Sequence, residues 1–209
     1  AIYYLAGDDL DTLRHNPQLE GFTARGINVL LFSDPIDEFW PQALFTYEKK
    51  PVRSATLAAG ELAKVDLLPD AGANLGEAAS ADALNKLTAK MKEIFGDAVK
   101  EVRSTDRLTT SPACLTTGEG EMSLHLERLM RQHQQKTSFA SSRIFEINPR
   151  HPVIRTMAEK TAEKGDSEEF RDAALLLLDQ ALIIEGEPVR DPAAFTRRLS
   201  NFMTKGISL

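Results

Sequence analysis

FRDAALLLLDQALIIE, Phe170–Glu185, is helical in composition yet apolar nearly all the way round. Ala173, Ala174, Leu177, Ala181 and Ile184 follow one stripe at three- and four-residue spacing, and Leu175, Leu178 and Leu182 follow another. A surface helix of a small domain shows one such stripe, so a helix greasy on two sides has to be covered on two sides. A short turn later, Asp191-Pro192 starts a second helix with a single clean stripe of Phe195, Leu199, Phe202 and Met203. Too little chain follows to bury both. The simplest cover is the same helix pair from a second copy, meeting the first across a two-fold, self-complementary interface. This end of the chain is expected to dimerise.

The rest of the composition narrows the class. The 209 residues suit one or two domains, and 42% apolar with 27% charged residues is ordinary for a folded globular chain. A net charge of −6 argues against nucleic acid or an anionic membrane as the main partner. The single cysteine, Cys114, excludes an internal disulfide and fits a reducing compartment. No apolar run approaches the roughly 18–20 residues that span a bilayer. Ile2-Tyr3-Tyr4-Leu5 is followed closely by acidic Asp8-Asp9, which is not a signal peptide. The chain opens on Ala1 and inside a strand, so it is expected to be a C-terminal part of a larger cytoplasmic protein.

Along the chain, Ile2–Leu5 reads as a buried strand, Asp8 or Asp9 as the cap of a short helix, and Asn16-Pro17 as the start of another, running to Arg25 and stopped by Gly26. Ile27–Phe32, INVLLF, has the continuous apolar character of a strand buried on both faces of a parallel sheet. Asp34-Pro35 predicts a helix to Leu44, and Pro51–Thr56 an edge strand. Residues 57–80, rich in Ala, Gly, Asp and Leu, read as a connector. From Ser80 a helix over Ala83–Phe95, strands at Val99–Ser104, Ala113–Thr116 and Arg143–Ile147, a helix from Glu119 or Glu121 to His133, and a helix over Pro152–Lys164 lead into the two terminal helices. The fold class is α/β (α+β).

Sites of chemistry are sparse. His15, His125, His133 and His151 lack metal-ligand spacing, and Cys114 in a strand reads as a buried structural thiol. Asp34, Asp37 and Glu38 crowd a helix start, where negative charge is favoured by the dipole. Thr117-Gly118-Glu119-Gly120 lacks the pattern of a phosphate loop. Two stretches point to binding instead. Met122, Leu126, Leu129 and Met130 form a stripe that either faces the core or offers an adaptable, methionine-containing surface to apolar partners. Phe39 and Trp40 are adjacent, so they cannot both face one core, and one of them is expected to be exposed.

Seven segments together resemble the heat shock protein 90 family of molecular chaperones, its bacterial members most closely: IYYLAGDD (2–9), RGINVLLFSDPIDEF (25–39), RLTTSPACL (107–115), EMSLHLERLM (121–130), FEINPRHPVI (145–154), LLLLDQALI (175–183) and DPAAFTRRLSNFM (191–203). The resemblance implies that residues 1–65 are the last α/β/α part of a middle domain, 66–80 a connector, and 81–209 a C-terminal dimerisation domain with a short three-stranded sheet. It implies a homodimer held by a four-helix bundle, with Leu175, Leu178, Leu182, Phe195, Leu199 and Phe202 in or near the interface. Non-native client proteins would be bound by Met122, Leu126, Leu129 and Met130 together with Glu38, Phe39 and Gln42, and Trp40 stands beside the family's aromatic position. A bacterial heat shock protein 70-type co-chaperone is a further implied partner.

The family's ATP and Mg2+ bind an N-terminal domain, so this chain is expected to carry no cofactor, no metal and no ATPase activity of its own. Nor does it show the acidic tail through which eukaryotic members recruit helical-repeat co-chaperones. Two other readings of the residues stand beside the chaperone: a small α/β enzyme using Asp37, Glu38 or Cys114, and a structural dimerisation module that binds no client.

Overall fold

The computed structural model describes residues 1–57, 59–62, 64–73, 76–118, 121, 123–132 and 142–207, with the side chains of residues 35, 38, 42, 59, 60, 72, 73 and 132 outside that description. The chain opens with strand β1 (Ile2–Ala6). Helix α1 (Leu10–Arg14) follows, capped by Asp9, whose side chain accepts from the amides of Asp11 and Thr12. Asn16 caps a 3-10 turn at Pro17–Leu19 that runs on into α2 (Glu20–Thr23). Gly26, at φ +67°, turns the chain through the left-handed region into β2 (Val29–Phe32).

The single helix expected from Asp34 to Leu44 is split into a 3-10 turn at Pro35–Glu38 and α3 (Trp40–Ala43). Pro41 has no N–H to continue a helix that began before it, but suits the first turn of a new one. Then come β3 (Thr46–Tyr47), β4 (Lys50–Ser54), α4 (Ala59–Leu62) and α5 (Pro69–Ala73), so the expected connector carries short helices.

These strands form one sheet in the order β2-β1-β4-β3, with β1 parallel to both β2 and β4 and the β3–β4 hairpin antiparallel. Two sequence expectations change here. INVLLF is an outer strand, covered fully on one face only: Val29 and Leu31 pack on the core, while on the other face Leu30 stays half exposed and Phe32 is half-buried against Tyr4 and Trp40. Conversely, the segment at Pro51 is interior, because the two-residue β3 pairs along its far side. Leu5, Leu13, Phe22, Ala55 and Leu62 make this unit's core, and Tyr3 meets Phe22 edge-on at 4.9 Å.

The second unit begins at Ser80, whose hydroxyl caps α6 (Ala81–Phe95). Strands β5 (Glu101–Ser104) and β6 (Ala113–Thr117), helix α7 (Leu124–Gln132), strand β7 (Arg143–Ile147) and helices α8 (Pro152–Lys164), α9 (Glu168–Ile184) and α10 (Pro192–Ile207) complete it. The sheet runs β5-β7-β6, with β7 parallel to β5 and antiparallel to β6. Leu87, Met91, Phe95, Leu115, Phe145, Ile147 and Ile154 fill the larger core together with Ala174, Leu177, Leu178, Ala181 and Leu182 of α9. Each of the Leu, Ile, Met and Phe side chains among them contributes about 1.5–3 kcal/mol by leaving water. Among the described residues no helix is long and apolar enough to cross a membrane.

Candidate interaction surfaces

The two units are joined by polar contacts that the local sequence does not announce. Glu20, at the start of α2, accepts from the backbone amides of Thr109 at 2.6 Å, Thr110 at 2.9 Å and Ser111 at 3.1 Å, and from the Thr110 hydroxyl at 2.8 Å. Burial alone would raise its carboxyl pKa, but the hydrogen bonds from Ser111, Thr110 and Thr109 outweigh this and hold it below the ordinary range. The next residue, Gly21, has no room for a side chain, since a Cβ would lie 2.9 Å from the Arg107 carbonyl oxygen.

Beside this contact, Gln18 donates to the Leu115 carbonyl at 2.6 Å and accepts from Arg107 Nη1 at 3.3 Å. Arg107 and Arg103 both bind Glu146, which is buried on the central strand β7. Burial works against its charge, yet the two guanidiniums keep the Glu146 carboxyl below its usual range.

The two candidate client-binding stretches, one from each unit, are brought together: α7 lies against the Pro35–Glu38 turn. Within them the side chains differ. Phe39 is 47% exposed and Ile36 more so. Trp40 is partly exposed but held, with Nε1 donating to Asp37 Oδ1 at 2.8 Å and its ring 5.3 Å from that of Phe32. Of the two adjacent aromatics, Phe39 is the freer. Leu126 and Leu129 are buried, so on those positions the stripe faces inward, while Met130 is half-buried at the surface. Met122 lies outside the described residues, as do the side chains of Glu38 and Gln42.

Helices α9 and α10 form an antiparallel hairpin with a polar seam. Arg198 sits between Asp172, at 3.1 Å, and Asp179, at 3.6 Å, and Lys205 reaches Glu169 at 3.6 Å. With Ala194, Arg198 and Lys205 turned to α9, the next face of α10 is left open: Leu199 is 38% exposed, Phe202 likewise, Met203 more, and Ile207 79%. Ile183 and Ile184 are exposed near the end of α9. Leu178 and Leu182, expected at a dimer interface, are instead 2% and 3% exposed within the chain's own core, against α6, α8 and the sheet. Much of the second cover that the apolar α9 requires therefore comes from its own domain. Leu175 and Phe195 are half-buried.

The profile of the family described as Hsp90 protein matches residues 1–209. The chain is 49% identical over 207 residues to Chaperone protein HtpG of Paramagnetospirillum magneticum, which covers 99% of this chain. It belongs to the heat shock protein 90 family. Chaperone protein HtpG of Rhodospirillum rubrum is 45% identical over 99% of the chain, and that of Gluconobacter oxydans 47% over 97%. The chain spans about a third of the length of these relatives, 33%, 33% and 31% respectively.

Of the residues considered for enzyme chemistry, Cys114 and Asp37 are otherwise engaged, and the Glu38 side chain lies outside the described residues. Cys114 is buried, and burial pushes its thiol far above the range in which a thiolate forms. Asp37 accepts from Trp40 Nε1 and, at 3.2 Å, from the Asp34 amide. Among the described residues no three His, Cys, Asp or Glu side chains are placed to hold a metal ion. The residues that sequence reasoning missed are Gln18, Glu20, Arg103, Arg107, Arg128 and Glu146. The one available signal was charge inside apolar strands, as at Glu146 in RIFEI, where a buried ion must find a partner.

Proposed function

We propose that this chain is the self-associating and client-binding part of a cytoplasmic, ATP-dependent chaperone, acting without catalysis of its own. The observation that carries the reading is the open apolar face of α10, Leu199, Phe202, Met203 and Ile207. A contiguous exposed apolar patch of this kind marks an interaction surface, and a helix hairpin carrying one is self-complementary across a two-fold axis. Phe39, with Trp40 next to it in the chain, offers apolar contact to partners that share only exposed hydrophobic surface. Permanent association at the hairpin would hold two upstream ATP-binding domains at high effective concentration, so that each cycle closes without a bimolecular step.

Sedimentation velocity over a concentration series tests the assembly: a dimer is expected, and a chain still monomeric at on the order of tens of micromolar would refute it. Suppression of aggregation of a thermally destabilised protein tests client binding. Phe39→Ser is expected to weaken that suppression while leaving the dimer intact. A dimer that suppresses nothing would leave only a structural module.

A further inference from the structure

Helix α7 meets the terminal hairpin through two arginines, Arg128 and Arg131, and the first of them gathers the most partners. Arg128 donates from Nη1 to the Glu185 carbonyl at 2.8 Å and from Nη2 to Asp8 Oδ2 at 2.6 Å, with His125 Nδ1 2.8 Å from the same Nη2. Glu185 is the residue that ends α9, Asp8 follows β1 in the other unit, and His125 lies one turn earlier on α7. Three parts of the molecule converge on one guanidinium, which is itself buried.

The turn it grips is shaped for it. Gly186 takes φ +70°, and a Cβ there would stand 1.7 Å from Arg128 Nη1, so the guanidinium lies across bare backbone. One residue on, Glu187 accepts from Arg131 of α7 at 3.3 Å and from Arg143 of β7 at 3.0 Å through the same oxygen, and it is buried. The turn that joins α9 to α10 is thus clasped by α7 on both sides of a glycine. On its other flank α7 touches the Pro35–Glu38 turn that carries Phe39 and Trp40.

We infer that Arg128 is a positioning residue that fixes α7, and with it the Phe39–Trp40 surface, against the α9–α10 hairpin, so that client occupancy and self-association are energetically coupled. The inference rests on the two activities proposed above. The coupling is reciprocal by linkage: whatever a bound client does to the dimer dissociation constant, dimerisation does to client affinity. Arginine is required because its planar fork reaches the Glu185 carbonyl and the Asp8 carboxylate at once, whereas a lysine ammonium is a point charge that serves one of them.

The test measures the dimer dissociation constant of the 209-residue chain by sedimentation, alone and with saturating reduced, carboxymethylated lactalbumin as an unfolded probe. The wild type is expected to shift at least about fivefold on adding probe, the lower end of ordinary allosteric coupling. Arg128→Lys and Gly186→Ala, each checked for folding by circular dichroism, are expected to dimerise and to bind probe while the shift falls below about twofold, whereas Leu87→Ala, a core variant remote from the turn, retains it. A wild type that dimerises and binds probe without any shift overturns this inference alone, as does an undiminished shift in both variants. A wild type that fails to dimerise or to bind overturns the proposed function and this inference with it. If Arg128→Lys does not fold, Gly186→Ala decides the outcome.

Discussion

The carboxylate of Glu20 accepts the backbone amide of Thr109 at 2.6 Å, and through that contact one hydrophobic core is fastened to a loop of the other. Three consecutive amides and three hydroxyls, those of Thr109, Thr110 and Ser111, converge on the same side chain. Glu20→Ala would leave those donors to whatever water can reach them. A loss of about 2–3 kcal/mol is expected, with Glu20→Gln losing less because it keeps an acceptor oxygen. Because the folded-state pKa is depressed, the contribution is present above the ordinary carboxylate range and is lost as pH falls through the folded value. Urea melts at neutral pH and at pH 4 check both points, and an equal loss at the two pH values would contradict the linkage.

Glu146 raises the same issue inside one unit. Its side chain and that of Arg107 are almost fully buried, with Arg107 Nε donating at 3.1 Å and Arg103 Nε at 2.9 Å. Replacing it by leucine leaves the Arg107 charge in the interior without its counter-ion. A destabilisation of about 3–5 kcal/mol is expected, although leucine matches the apolar strand around it. A chemical denaturation midpoint unchanged by Glu146→Leu would show that Gln18 and solvent suffice for Arg107.

How much of this was legible differs element by element. The helices at 81–95, 152–164, 168–184 and 192–207 follow from periodicity and caps, because those signals are local. The β3–β4 hairpin was missed, since its turn residues Glu48 and Lys49 take positive φ without the asparagine or glycine that ordinarily announces such a turn. The order β2-β1-β4-β3 could not be read either, because each strand's apolar run is the same whether it sits at an edge or in the middle. At the surfaces, the α10 stripe was legible, but its burial partner was not. The stripe at Leu126 and Leu129 and the second stripe of α9 at Leu178 and Leu182 satisfy both an inward and an outward reading, and only the packing places them inward. The junction joins residues some ninety positions apart through isolated polar side chains, which leave no periodic trace.

Glu185 gives the stability a pH dependence of opposite sign. Burial pushes its carboxyl up to about 7 from the ordinary 4.5, only partly offset by Gln18, Arg128 and Asn16, and its Oε1 is buried without a hydrogen-bond partner. Between those values the folded state holds the proton more tightly than the unfolded chain, so stability falls as pH rises from 4.5 through 7. Glu185→Gln, which cannot ionise, is expected to stabilise the chain by up to about 3 kcal/mol at pH 8 and to be nearly neutral at pH 4.5. Thermal melts of both proteins at the two pH values test this. A variant destabilised equally at both would mean that the carboxylate is held charged by Arg128.

The terminal helices give two leucines with different fates. Leu178 is 2% exposed and part of the protomer's own core, whereas Leu199 is 38% exposed on the open face of α10. Leu178→Asp places an unpaired charge among α6, α8 and the sheet, and it is expected to unfold the domain before any question of assembly arises. Even Leu178→Ala should cost about 2–5 kcal/mol through the cavity it leaves. Leu199→Asp puts its carboxylate where water already reaches, so the protomer should melt within a few degrees of the wild type. It should nevertheless dissociate, because across a two-fold interface the same charge appears on both partners and must be desolvated twice. Circular dichroism melts paired with sedimentation separate the two outcomes. A folded monomer from Leu178→Asp, or an intact dimer from Leu199→Asp, would place the contact between copies somewhere other than the open face of α10.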